Sequence, residues 1–473
     1  MSMFRRSTNS DWLFTPPIFN DIQALTSCPG LPPECSDPRA TLRYTLIVPL
    51  SRSPYRLSTL PTGARVVSTE LADRPSTTMA IMFKVGSRYE SDQEAGISHF
   101  LEHMFFKGSA HYGGAKEIAE AIEGVGGVLN AGTDKELTMY WARVPKNKAK
   151  LAIDVLGDML FQPLLDPREL EKERLVVLEE LRMYQDSPQE YVHSLFEQIS
   201  WPNHPLGRDV AGTEASVRAL TRDDLMRYLD EHYLLRNLVV TIAGPVTHEE
   251  AIGLIEPYLK VRGNGSAPPS FLPSAANGLK PTVLLKSKKT EQAHVCLGVH
   301  APSYMDRDRH VIDILNCVLG EGMSSRLFLE VREKLGLAYD VHSYVNKMYD
   351  TGVLGVYAGT EPRQAARAVG AIVGQLRRLC DEPVNQAELT KAKEFYKGRL
   401  LLQMESTNSV ATWYGGQEAL TGRIEDVDET VAEIDAVTAD DVMRIAKDLF
   451  GQALQLAVIG PFRSEAPFLK QIA

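Results

Sequence analysis

His99, Glu102 and His103 stand inside "GISHFLEHMFFKG" (96–108), an otherwise apolar run. On a helix, residues three and four apart share a face, so two imidazoles and a carboxylate would converge. Burying such groups is costly unless they are satisfied. One reading is a hydrogen-bonded polar cluster within a core. The other is a metal centre, because histidines at i and i+4 reach one tetrahedral ion and H-x-x-E-H inverts the H-E-x-x-H zinc signature. A catalytic zinc also needs a third protein ligand and an open position for water. "EKERLVVLEELRMY" (171–184) offers Glu173 and Glu180, seven residues and two helical turns apart. Leu175, Val176 and Leu178 beside them are expected to pack that helix against a core. Glu169, Glu171 and Glu179 fit a solvated face, although Glu179 adjoins Glu180 and rivals it as third ligand. Zinc lowers the pKa of its water to about 7 and polarises a carbonyl. Glu102 is then placed to take the proton from that water and pass it to a leaving amine.

These residues need elements to hold them. "STTMAIMFKVGSRY" and "VLNAGTDKELTMYWARV" combine β-branched and aromatic residues between turn signals, as strands do. "TLPTGARVVSTEL" reads as a hairpin around Thr62-Gly63. "AKEIAEAIEGVG" and "PRELEKERLVVLEELRMY" have helical spacing, the second started by Asp166-Pro167. The chain then repeats itself. Thr221, Asp223, Asp224, Met226 and Arg227 return as Thr438, Asp440, Asp441, Met443 and Arg444 at a constant offset, and "ELEKERLVVLEELRMY" from Glu169 is echoed from Glu388. So long a repeat is a duplicated domain, not a solenoid. The fold expected is α+β: two homologous domains, each a largely antiparallel sheet packed with helices, joined by a linker. Its parts are an N-terminal extension (1–52), a metal-bearing domain (53–260), the Gly/Pro/Ser-rich linker (261–282) and a second domain (283–473). The second domain reads "HVIDILNCVLGEG" where the first carries its histidines, so His310 and Asp313 are expected to be surface and capping groups.

"HFLEHMFFKG" followed by "ERLVVLEELRMYQDSP" resembles the pitrilysin family of inverzincin zinc endopeptidases, and most closely its short branch, which holds mitochondrial processing peptidase and bacterial relatives. The resemblance runs from residue 55 to 462, duplication and linker included. It implies Zn2+ held by His99, His103 and Glu180, with Glu173 as supporting acid and Glu102 as general base. The seven-residue step from Glu173 favours Glu180 over Glu179. It implies that Arg332 and Tyr339 in "LFLEVREKLGLAYDV" hold substrate and help stabilise the tetrahedral oxyanion. Asn130 and Ala131 would lie on an edge strand that takes an extended peptide by β-augmentation, and Phe106 would line a pocket for a bulky side chain. Zinc in one half and the Arg/Tyr pair in the other imply a homodimer that shares its sites, a heterodimer being the alternative. The competing class is a non-catalytic scaffold subunit, as some relatives of the processing peptidase are.

Bulk properties narrow the field. The formal charge of -10 opposes a dedicated nucleic-acid binder, and no apolar stretch is long enough to span a bilayer. Five cysteines (Cys28, Cys35, Cys296, Cys317, Cys380) are scattered and odd in number, which suits a reducing compartment. Arg5 and Arg6 lack an apolar segment behind them, against a secretory signal. The expectation is a cytoplasmic enzyme acting on peptides, with a mitochondrial matrix location as the alternative.

Overall fold

The structure is a computed structural model that describes residues 54–260, 263, 269–274 and 279–473. The N-terminal extension, Cys28 and Cys35, and part of the linker lie outside the described residues.

Two sheets organise the chain. The first comprises β1 (Arg56–Thr59), β2 (Arg65–Glu70), β3 (Ser76–Phe83), β4 (Val128–Thr133), β5 (Thr138–Pro145) and β6 (Leu238–Gly244) in the order β1-β2-β6-β3-β5-β4. The second comprises β7 (Thr282–Ser287), β8 (Ala293–His300), β9 (Ala338–Lys347), β10 (Gly352–Thr360) and β11 (Gln455–Gly460) in the order β7-β11-β8-β10-β9. Each is antiparallel apart from one parallel pair, β2 with β6 and β7 with β11. In both, the last strand returns after a run of helices and inserts beside an early one, a connection long enough to permit parallel pairing. The expected hairpin is formed by β1 and β2, with Gly63 at φ +88° in its turn. That left-handed conformation costs a glycine nothing.

Helices start where the sequence places them. Asp166 accepts from the Arg168 amide ahead of Pro167, and Thr221 and Thr438 form matching capping boxes with Asp224 and Asp441. The helix Pro167–Asp186, here the glutamate helix, turns Val177, Leu178 and Leu181 inward, whereas Leu175 and Val176 are 63% and 45% exposed. The expectation for Leu175 and Val176 is thus corrected: the face that carries Glu173 and Glu180 is one to two residues out of phase with them.

The halves exchange helices. Pro188–Ser200, from the first half of the chain, lays Val192, Leu195 and Phe196 on Cys296, Tyr344, Tyr357 and Ile459 of the second sheet. Thr407–Thr421, from the second half, lays Val410, Ala411, Trp413 and Tyr414 on Val67, Met82, Trp141 and Val239 of the first. Both faces of each sheet are therefore covered, which is why β3, β6, β8, β10 and β11 read as nearly continuous apolar runs without alternation. Close approach needs glycine: a Cβ on Gly415 would lie 2.7 Å from the Thr241 side chain, and one on Gly298 2.7 Å from Phe196. Between the halves, buried Arg88 pairs with Glu136 of the β4–β5 turn and Asp350 of the β9–β10 turn, while Phe271 of the linker covers its guanidinium at 3.9 Å.

Candidate metal centre

The helix Ile97–Phe105, here the histidine helix, buries every one of its residues against the first core. Its N-terminus is closed by Glu90, which accepts from the amides of Gly96 (2.8 Å) and Ser98 (2.9 Å). Burial pushes that carboxyl up to about 7 despite these donors. The glutamate helix packs across the histidine helix, and their facing side chains form one cluster.

His99 Nε2 and His103 Nε2 are 3.2 Å apart, and Glu180 Oε2 lies 3.7 Å from the first and 3.6 Å from the second. Metal–ligand bonds of about 2.0–2.1 Å in tetrahedral geometry give ligand–ligand edges of about 3.3 Å. The triangle therefore has the dimensions of three ligands around one ion. Its donor set, two imidazole nitrogens and a carboxylate oxygen, suits zinc. Among the described residues, His99, His103 and Glu180 are the one group of metal-capable side chains with this spacing. Glu179 points the other way, its exposed carboxylate paired with Arg182.

Glu173 sits behind the triangle. Its Oε1 accepts from His103 Nδ1 at 3.0 Å and its Oε2 takes the Lys107 ammonium at 2.6 Å. Holding the proton on Nδ1 leaves the Nε2 lone pair for an ion. Burial pushes the Glu173 carboxyl up, but the bonds from His103 and Lys107 outweigh it and hold the group below its ordinary value. Glu102, buried on the same helix face, accepts at Oε2 from Thr133 Oγ1 at 2.5 Å.

Asn130 and Ala131 lie on β4, which has β5 on one side and an open edge on the other. The Ala131 amide donates to Asn130 Oδ1. Phe106 caps the histidine helix and is half-buried against the first core. Arg332 and Tyr339 are brought together elsewhere, in the second domain. Tyr339 is 76% exposed at a β-bulge of β9, and the Arg332 guanidinium lies 4.9 Å over its ring and 4.6 Å over that of Phe328. A bulge re-aims a side chain that regular pairing would fix in the sheet.

His310 and Asp313 correct the sequence expectation. Both lie on the helix Arg309–Leu319, at whose N-terminal boundary Asp308 makes no side-chain cap and instead accepts from Arg444. His310 is buried against Glu425 (3.2 Å), and Asp313 takes the Lys347 ammonium at 2.6 Å and 2.7 Å. Ile314 and Arg399 stand where the first half has His103 and Glu180, and Arg399 faces Glu321 at 3.7 Å. An ammonium and a guanidinium thus occupy the second half's counterpart of the cluster. Sequence reasoning missed Lys107 and Thr133. Lys107, four residues after His103, had a visible signal in that spacing; Thr133 had none, since only tertiary packing brings it to Glu102.

Two family descriptions match the chain: "Insulinase (Peptidase family M16)" over residues 65–214 and "Peptidase M16 inactive domain" over 219–396. The chain belongs to peptidase family M16. M16 relatives include the uncharacterized zinc protease YmxG of Bacillus subtilis, 38% identical over 85% of this chain and 97% of the relative. The uncharacterized zinc protease SCO5738 of Streptomyces coelicolor is also 38% identical, over 87% of this chain and 90% of its own. Among solved structures, a protease from Helicobacter pylori superposes with a TM-score of 0.80 at 24% identity, covering 86% of this chain and 99% of that one. A chain of Complex III2 from Candida albicans gives 0.76 at 19% identity, over 88% and 99%. These two likenesses show the M16 fold and nothing finer. No helix among the described residues is long and apolar enough to cross a membrane.

Proposed function

We propose that the protein is a zinc-dependent endopeptidase that hydrolyses extended or unfolded peptides in a chamber closed by two copies of the chain, in the cytoplasm. Zinc is its cofactor, consistent with the zinc protease names of its relatives. The observation that carries the proposal is the triangle of His99, His103 and Glu180 with Glu102 on the same helix face. A carboxylate beside an ion site, yet outside the ligand triangle, is what proton transfer to and from water requires.

When bound, zinc supplies Lewis acidity and brings the pKa of coordinated water to about 7. Glu173 fixes the His103 ring through Nδ1, with Lys107 balancing its charge. The open edge of β4 orders a peptide as an added strand at Asn130 and Ala131, by backbone bonds that tolerate many sequences. Phe106 flanks the side chain beyond the cut bond. Glu102 accepts the proton of the attacking water and returns it to the leaving amine. Arg332 and Tyr339 serve the centre of the partner copy, where the Tyr339 hydroxyl and the guanidinium donate to the oxygen that becomes negative. Within one chain, the Arg332 guanidinium lies over the rings of Tyr339 and Phe328 and faces Glu333 at 3.7 Å, while Tyr339 is 76% exposed, in keeping with a role across an interface.

Purified protein mixed with an unstructured fluorogenic peptide should cleave it, and a chelator should stop cleavage. Glu102→Gln and Tyr339→Phe should each reduce the rate at least about 100-fold. Co-expressed as a verified mixed dimer, the two variants should regain one working centre. Full-length protein with stoichiometric zinc and no cleavage would instead favour a scaffold.

A further inference from the structure

Thr133 closes β4, next to the strand positions that would receive a peptide. Side chains alternate along a strand, so Leu129, Ala131 and Thr133 share a face. Leu129 and Ala131 pack on the first core, which contains Phe100, Leu101 and Met104 of the histidine helix. Thr133 extends that row to the same helix and meets it at Glu102, donating from Oγ1 to Oε2 at 2.5 Å. The strand cannot drift from this position easily. Beyond Thr133, the Asp134 and Lys135 carbonyls accept from the amides of Ser87 (3.1 Å) and Arg88 (2.8 Å). Lys135 pairs with Glu197 at 2.9 Å, and Glu136 pairs with Arg88 at the seam between the halves.

We infer that Thr133 is the positioning residue of the general base: its hydroxyl holds one oxygen of Glu102 and so sets the direction of the carboxylate that exchanges protons with water. The inference rests on the endopeptidase reading. A glutamate has three side-chain torsions, and each bond to its carboxylate narrows the directions it samples, of which few suit in-line proton transfer. Because the donor belongs to the substrate-receiving strand, one strand sets both the peptide's position and the direction of the base. Thr133 touches no reacting atom. It acts through Glu102.

The test compares Thr133→Val, which keeps shape and removes the hydroxyl, with Thr133→Ser, which keeps the hydroxyl. Thr133→Val should lower kcat about 10–100-fold, with KM within about twofold and zinc content unchanged. Thr133→Ser should stay within about threefold of the parent in kcat. In a Glu102→Gln background, Thr133→Val should change neither the residual rate nor peptide affinity, measured by fluorescence anisotropy of the labelled peptide. Wild-type kcat in Thr133→Val, a rise in KM alone, loss of zinc, or equal losses in the Val and Ser variants would each overturn the assignment. Full activity in Glu102→Gln would likewise overturn it, whereas no cleavage by the zinc-loaded parent protein would overturn the endopeptidase reading itself.

Discussion

Glu179 and Glu180 are chain neighbours, yet one is solvated beside Arg182 and the other faces two imidazoles. A helix turns about 100° per residue, so side chains adjacent in sequence diverge by more than a right angle. Glu180→Ala should therefore lose most bound zinc in metal analysis of the dialysed protein, while Glu179→Ala keeps it. A second prediction concerns the buried pair in the other half. Burial pushes His310 down, but its bonds with Asp313 and Glu425 outweigh this and hold it above its usual 6.5. Burial pushes Glu425 up, but His310 and Arg309 bring it down to about 2. The raised His310 contributes fully below its unfolded pKa, and its contribution fades as pH rises through the folded value. The depressed Glu425 contributes fully above its unfolded value of 4.5, and its contribution fades as pH falls toward about 2. Stabilisation by the pair thus peaks between about pH 4.5 and about pH 6.5. Glu425→Gln should cost about 3 kcal/mol there. The thermal-melting gap to wild type should narrow toward about pH 9, and a constant gap contradicts the assignment.

At the scale of elements, caps and turns were legible and packing partners were not. Thr221 with Asp224, Asp166 with Pro167, and the Thr62-Gly63 turn are local signals, satisfied by backbone groups within a few residues. The exchange of Pro188–Ser200 and Thr407–Thr421 has no such signal. An apolar helix face says that it is buried, never against what. Phe196, fully buried on the second sheet, is the anchor of one exchanged helix. Phe196→Ala should destabilise by about 3–5 kcal/mol in urea unfolding. Because that helix directly follows the glutamate helix, zinc affinity should fall with it.

At the scale of the molecule, the exchange joins the halves into one folding unit. Residues 54–260 made alone would leave the face of β3 and β6 bare and present Phe196 to water. Each half expressed separately should aggregate, and co-expression should restore a soluble complex. A monomeric, cooperatively melting first half would refute the point. The duplication also divides labour by charge. One copy presents an anionic, imidazole-lined cluster with the spacing of metal ligands; its counterpart holds Lys347 and Arg399.

The sequence alone determined the helix that carries His99, Glu102 and His103, the Glu173–Glu180 step, the duplication and the family resemblance, because periodicity and capping are written in nearest neighbours. It misjudged Leu175, Val176, His310 and Asp313, whose burial depends on which element faces them. The 3.2–3.7 Å triangle, the Thr133 bond to Glu102, the bulge that exposes Tyr339 and the exchanged helices were decided by tertiary structure. Each joins residues far apart in the chain, and contacts between distant segments are set by how whole surfaces fit together.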